Sequence, residues 1–369
     1  MLSSYCYLLF KFIFALSYNM IFMNRYTQLL LLAVFTLFLS FNSMSQIGGE
    51  STYNFLNLSN SARAAAMGGN FVAIDDNDIT LSVTNPSIIS PEMDNQIALS
   101  FVDYYSDINY GFASYSKTIP KYGSFVASVQ YINYGEFIYT NNLGEEEGTF
   151  TANENAIMLG WGRALDSSFS IGANVKFISS FMETYSSYGV AVDIAGTYNN
   201  RKKQLTASLV FRNIGRQIKN YNPDVYESLP FEIQFGVSKR LQHLPFRYSL
   251  LLTNLQTFDL SYIDPNDIAN QPDPFTGEVP DNTDNFGKKV LRHVVVGGEF
   301  LPTKNFSVRV GYNYRRRQEM KVDTKRSTVG FSWGIGFRVS KFQFNYSRAA
   351  YHLVGSPNYI TITTNLNSF

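Results

Sequence analysis

Residues Phe169 to Phe177 read F-S-I-G-A-N-V-K-F, an almost unbroken alternation of apolar and polar side chains. Successive side chains of a strand point to opposite faces, so such a segment has one greasy face and one wet face. The same beat recurs over most of the chain after about residue 96. It predicts strands near 97–105, 109–118, 124–138, 154–164, 168–179, 187–198, 204–213, 230–239, 246–255, 291–301, 305–315, 327–339, 341–348 and 358–368. Phe125, Ala127, Val129 and Tyr131 share one face, opposite Ser128 and Gln130. Phe231, Ile233, Phe235 and Val237 oppose Glu232, Gln234 and Ser238. Phe306, Val308, Val310, Tyr312 and Tyr314 oppose Ser307, Arg309, Asn313 and Arg315.

Composition narrows the class. Basic and acidic residues nearly cancel (30 against 29), so no charge excess drives nucleic-acid binding. Mean hydropathy is slightly negative, while aromatics are abundant, with 31 Phe and 25 Tyr against 2 Trp. After the leader, no run of about 18 apolar residues offers a transmembrane helix. A transmembrane barrel reconciles these facts, because its wall alternates apolar-out and polar-in and carries aromatic girdles. The competing reading is a secreted soluble β-protein.

The leader looks like two signals run together. Met23 is followed by Arg25, an apolar stretch from Leu29 to Phe41, then Ser43-Met44-Ser45 before Gln46. That order of charge, apolar core and small residues predicts a signal peptide over 23–45, cleaved after Ser45. Residues 1–22 read as an upstream extension, with Met23 the initiator. The single cysteine, Cys6, falls in that discarded part, so the mature chain has neither disulfide nor thiol chemistry.

Residues 46–95 break the strand pattern and read as an N-terminal plug segment, folded inside or beneath a barrel over 96–369. Asn60 or Ser61 can cap a short helix through Ala62 to Met67, stopped by Gly68-Gly69. Polar turns follow at Asp75 to Asp78 and at Asn85-Pro86-Ser87. Beyond the second strand every second link is short, and those between are mostly longer, notably 139–153, 214–229, 256–290 and 316–326. Outer-membrane barrels have short periplasmic turns and long extracellular loops, and a soluble sandwich has no reason to follow that rule. The expectation is therefore an all-β fold, a fourteen-stranded antiparallel transmembrane β-barrel in a bacterial outer membrane. One detail conflicts: Phe369 lies on the parity of Thr361 and Thr363, opposite Ile360, Ile362 and Leu366. A bulge near the end, or a less regular last strand, would account for it.

Gly48-Gly49, Tyr53-Asn54-Phe55-Leu56, Ser61-Ala62-Arg63, Met67-Gly68-Gly69 and Asn85-Pro86 together resemble the start of the PorQ family. These are outer-membrane components of the type IX secretion system in Bacteroidetes, related to PorV and more distantly to FadL-type barrels, which also have fourteen strands. The motif covers roughly residues 48–90, and its Tyr-Asn-Phe-Leu with Ser-Ala-Arg favours PorQ over PorV. The resemblance implies a non-enzymatic adaptor that holds a PorZ-like surface partner, supporting cargo maturation and lipopolysaccharide attachment. It assigns Arg63, Gly68, Gly69, Asn85 and Pro86 a structural role in the plug, and no cofactor. The reading from another class is a FadL-like channel for hydrophobic compounds.

Candidate chemistry is sparse. His243, His293 and His352 are the only histidines, and no serine in a strained nucleophile motif accompanies them. His243 falls in a short periplasmic turn, and His293 is expected to face the lumen near the outer rim. Asp75, Asp76 and Asp78 lack the glycine and distal glutamate of a calcium loop and read as a polar turn. Glu145, Glu146 and Glu147, with the acid-rich loop that carries Asp273, Phe275 and Glu278, make the outer surface acidic. These are either solvated loops or, with Tyr221 and Tyr226, a surface for the partner. Arg315, Arg316, Arg317 and Lys321 cluster at the outer end of one hairpin. They suit either lipopolysaccharide phosphates or acidic neighbouring loops.

Overall fold

The computed structural model describes residues 51–261, 284–322, 325, 327–352 and 355–369. The leader, Gly48-Gly49 and Asp273, Phe275 and Glu278 lie outside the described residues.

Fourteen antiparallel strands close into a barrel in sequence order, with the last paired to the first. They are β1 (Gln96–Asp103), β2 (Asn109–Ile119), β3 (Gly123–Thr140), β4 (Glu146–Ala164), β5 (Phe169–Met182), β6 (Tyr185–Asn200) and β7 (Leu205–Lys219). The second half is β8 (Glu232–Arg240), β9 (Phe246–Leu252), β10 (Val294–Phe300), β11 (Phe306–Asn313), β12 (Phe331–Val339), β13 (Phe342–Ala349) and β14 (Asn358–Asn365). The seam runs from Gln96↔Asn365 to Asp103↔Asn358 without a register shift. Closure leaves no unpaired edge, the condition for a sheet in lipid.

Burial follows the alternation of the sequence. Val126, Ser128 and Gln130 face inward and are buried, whereas Val129 and Tyr131 are exposed. Ile157, Leu159, Val175, Phe177, Val296, Val310, Trp333 and Ile360 all stand exposed on the outside. An apolar band of this extent belongs against hydrocarbon rather than water. The soluble alternative is thereby excluded.

The two halves of the barrel differ in height. β3 has 18 residues and β4 has 19, whereas β9 and β10 have 7 each. Near 3.4 Å per residue and a tilt of about 40°, the tall side rises roughly 30 Å above the short one. The extra length lies at the end of the long connections, the outer side. Here the structure corrects the expected loops at 139–153 and 214–229, since the strands run on to Thr140, from Glu146, and to Lys219. Glu146-Glu147-Gly148 at the start of β4 has no alternation because both faces of this extension are solvated.

Residues 51–95 fill the lumen. Ser51 pairs with Ser228 in the outer loop between β7 and β8, and the segment then descends to the start of β1 at the opposite end. Its one α-helix, α1 (Ala62–Ala66), is capped by Ser61, whose hydroxyl accepts from the Ala64 amide. Gly68, at φ +95°, takes the left-handed turn that ends it. Two further helices lie in outer loops, α2 (Phe286–Arg292) and α3 (Tyr314–Met320). After Asn365 the chain leaves the ladder in a 3-10 turn over Leu366–Ser368. The parity conflict at Phe369 is resolved in this way, without a bulge in β14, and the Phe369 ring packs edge-on against Phe342.

Candidate functional site

The plug is fixed first by packing. Tyr53, Phe55 and Leu56 join Tyr110, Ile178 and Tyr359 of the wall in one buried cluster. Lower down, Met67, Phe71, Val72 and Ile74 pack on Val210, Leu251 and Val295. Ile79 and Ile89 meet Ala98 and Val126 in a third cluster. Each such side chain stabilises by about 2 kcal/mol on full burial. The wall makes room through glycines: a Cβ on Gly311 would lie 1.9 Å from the Met67 carbonyl carbon, and one on Gly172 2.3 Å from that of Pro86.

A charged lock then sets the position of the plug. Arg63 of α1 donates Nε and Nη2 to the two carboxylate oxygens of Glu299 in β10, at 2.9 and 3.0 Å. The same guanidinium donates to Asp76 at 2.9 and 2.6 Å and to Asp78 at 3.0 Å. Arg247 of β9 bridges Asp76 and Glu299 at 2.7 Å each, and Arg309 of β11 donates to Glu299 and Asn345 at 2.8 Å each. Three arginines thus face three carboxylates, with Glu299 wholly buried. Desolvation alone would raise the pKa of Asp76, but Arg63 and Arg247 outweigh it and hold this carboxylate well below its ordinary range. At neighbouring Asp75 desolvation wins and raises the pKa, although the Asn199 amide donates to it at 2.6 Å. The polar turn is therefore a receptor for the protein's own arginines.

The assigned plug residues take these positions. Arg63 is the centre of the lock, Gly68 and Gly69 end α1, and Pro86 seats against Gly172. Asn85 is fully buried; its side-chain amide donates to the Val72 carbonyl and to the Thr197 hydroxyl, while its oxygen accepts from the Ser87 amide.

At the outer end a cleft of about 530 Å³ opens above the plug. Tyr53, Tyr134, Met182, Tyr185 and Tyr221 line it, with Glu154 and Glu227. Tyr134 donates to Glu154 at 2.5 Å, and the hydroxyls of Tyr221 and Ser180 are hydrogen-bonded. Burial raises the Tyr221 phenol to about 12. Tyr226, by contrast, stands exposed on the loop. Glu145 accepts from Asn141 at the β3–β4 tip, and Glu146 opens β4. On the raised part of this hairpin, Phe137, Tyr139 and Phe150 form a ring cluster with centroids 5.1 and 5.6 Å apart. This patch continues the lumen-facing row of β4, so it overlooks the barrel mouth. The sequence reading missed it by ending the strand at 138 and taking Tyr139 and Phe150 as loop.

The basic cluster is split by geometry. Arg315 donates to Glu319 at 2.6 Å and to Asn254 at 3.0 Å, and Arg317 donates to the Ser327 carbonyl at 2.6 Å. Arg316 turns over the mouth, stacks 3.9 Å from the Tyr351 ring centroid and donates to the Gly68 carbonyl of the plug. These three are half-buried, and exposed Lys321 follows α3. His293 lies at the C-terminal end of α2 instead of in a strand; its ring nitrogens sit 2.7 and 3.2 Å from the Thr253 and Phe258 carbonyls.

No family model and no curated protein matches the chain. Among solved structures it is similar to the toluene transporter TodX of Pseudomonas putida, at 11% identity and a TM-score of 0.48, over 83% of this chain and 97% of that one. The CymD monoaromatic hydrocarbon channel is 10% identical at a TM-score of 0.49, over 85% and 99%. A Pseudomonas aeruginosa FadL homologue is 11% identical at 0.45, over 83% and 98%. At these identities the likeness concerns architecture alone, that of a closed outer-membrane-type barrel.

Proposed function

We propose that this barrel works as a non-enzymatic anchor, holding a protein partner over its outer mouth. The observation that carries the reading is the raised wall of β3 to β7, whose exposed Phe137 and Tyr139, with half-buried Phe150 beside them, overlook a mouth filled by the plug. Exposed aromatic rings above the lipid band are costly unless something covers them. The PorQ resemblance supplies the finer form: an outer-membrane component of type IX secretion that holds a PorZ-like partner and aids lipopolysaccharide attachment. Affinity capture of the full-length protein from detergent-solubilised outer membranes, with mass spectrometry, tests it. A stoichiometric surface protein, lost with Phe137→Ser/Phe150→Ser in a folded barrel, supports anchoring. A barrel that carries only a hydrophobic small molecule sinks it.

The second reading is a channel for hydrophobic compounds. TodX and CymD are a toluene transporter and a monoaromatic hydrocarbon channel, but their likeness to this chain reaches no further than the fold. The observation that favours a channel is the tyrosine- and methionine-lined outer cleft, a suitable first stop for an apolar ligand. Against it, the outer cleft and the cavity at the other end share no lining residue and have the packed plug between them.

A further inference from the structure

The periplasmic end of the barrel holds a second cavity, half-open and about 430 Å³ in volume, between the plug and the turns that follow β10 and β12. That size suits a small ligand. Arg63 and Arg309 form its floor, and both are more than nine-tenths buried, at 5% and 3% exposure. Lys304, Arg338 and Lys341 stand around its rim. Among the described residues Asp76 and Asp78 are the only carboxylates in the lining; with Glu299 beneath the floor they balance Arg63, Arg247 and Arg309, so the excess charge is that of the three rim cations. Those two acids are already bound by Arg63 and Arg247.

The rim cations are not matched in the same way. Arg338 donates to the neutral Gln343 side chain at 3.1 Å, and Lys341 lies 4.2 Å from the Phe369 ring centroid. Among the described residues, none of the three rim cations has an acidic partner. Arg338 also shares the lumen-facing row of Ser332, Gly334 and Gly336, so its charge is directed into the cavity and away from lipid headgroups. Ser307, Thr363 and Asn365 add neutral hydrogen-bonding groups between the charges.

We infer that this cavity is a binding site for a soluble, multiply charged oxyanion bearing carboxylate or phosphate groups. Guanidinium forks and ammonium groups on one concave wall recognise such ligands through charge-assisted hydrogen bonds. A bound anion would tie the turns after β10 and β12 to the plug, and so raise the stability of the closed barrel through linkage. The site is independent of any partner at the outer face.

The test is calorimetric titration of the full-length barrel in non-ionic detergent with citrate and with pyrophosphate, each at a sodium chloride-matched ionic strength. Saturable binding of at least one is expected, with a rise in Tm. Lys304→Ala/Lys341→Ala should weaken it by about tenfold or more. Lys117→Ala, at an exposed lysine outside the cavity, should leave it unchanged. Binding of citrate alone assigns a carboxylate ligand, and binding of pyrophosphate alone a phosphate ligand. If the double variant fails to fold, Arg338→Gln supplies the same comparison. Absence of binding by both anions, or binding indifferent to the rim substitutions, overturns the inference.

Discussion

Arg63 and Glu299 meet as a two-point fork: one guanidinium edge of the plug lies on one carboxylate of the wall, at 2.9 and 3.0 Å. Removing one partner of a buried pair leaves the other charge stranded, which costs about 3–5 kcal/mol. Arg63→Ala should lower barrel stability by about that amount in a urea titration. It should also raise ion conductance in planar bilayers, because the plug loses its hold on β10. A variant as stable and as non-conducting as the parent would show that packing alone fixes the plug.

The lock carries a pH signature. The folded-state pKa of Asp76 is depressed, so its contribution is present above the unfolded value of about 3.9 and is lost as pH falls through the folded one. Asp75 has the opposite sign: its pKa is raised, so ionisation near neutrality opposes folding and protonation relieves it. Asp76→Asn should therefore destabilise the barrel at pH 7, and Asp75→Asn should be neutral or mildly stabilising there. Thermal melts from pH 7 down to about 3 check both, with loss of the Asp76 contribution expected only at the acid end.

Gly311 and Gly196 make a matched pair. A methyl on Gly311 runs into the backbone of Met67 and Gly68, whereas nothing lies within 4 Å of one on Gly196. Gly311→Ala should cost about 3 kcal/mol or more, while Gly196→Ala stays within about 0.5 kcal/mol. Heat-modifiability on gels ranks the two; equal behaviour would place the plug away from β11.

Lys176 and Asp193 form a second buried pair, 2.8 Å apart, at one of the two register shifts between β6 and β7, that between Val192 and Ile194. Asp193 accepts from the Asn213 amide, and Lys176 donates to the Asn213 side chain, at 2.8 Å each. Asn213 itself has φ +56°. Lys176→Met should cost about 3–5 kcal/mol, and adding Asp193→Asn should recover most of it, since the amide oxygen can still accept from Asn213. Additive losses in the double-mutant cycle would refute the coupling.

Where one face of a strand meets lipid and the other the plug, alternation is forced, and the sequence carried the strand positions. It failed where that contrast ends. At Glu146 to Gly148 both faces are wet, so a strand looked like loop. At Leu366 the chain turns out of the sheet, so parity ceased to mean orientation. The plug helix, its Ser61 cap and its Gly68 stop were legible because they are local. The lock was not, since Arg247, Glu299 and Arg309 meet only through the pairing of β9, β10 and β11, and Asp76 joins them only when the plug docks. Inward parity of a charged residue, as at Glu299 and Arg309, was the one available sign.

The parallel bridge between Ser51 and Ser228 bears on biogenesis. From there the chain runs down the whole lumen before β1 begins at the far end. A finished ring offers no gap for so bulky a segment to be threaded through. The β1–β14 seam must therefore zip around a segment already in place, making residues 51–95 a mandrel on which the wall is wound. Substitutions that loosen this segment should then show up first as stalled intermediates on the membrane insertase, before any defect in the mature protein.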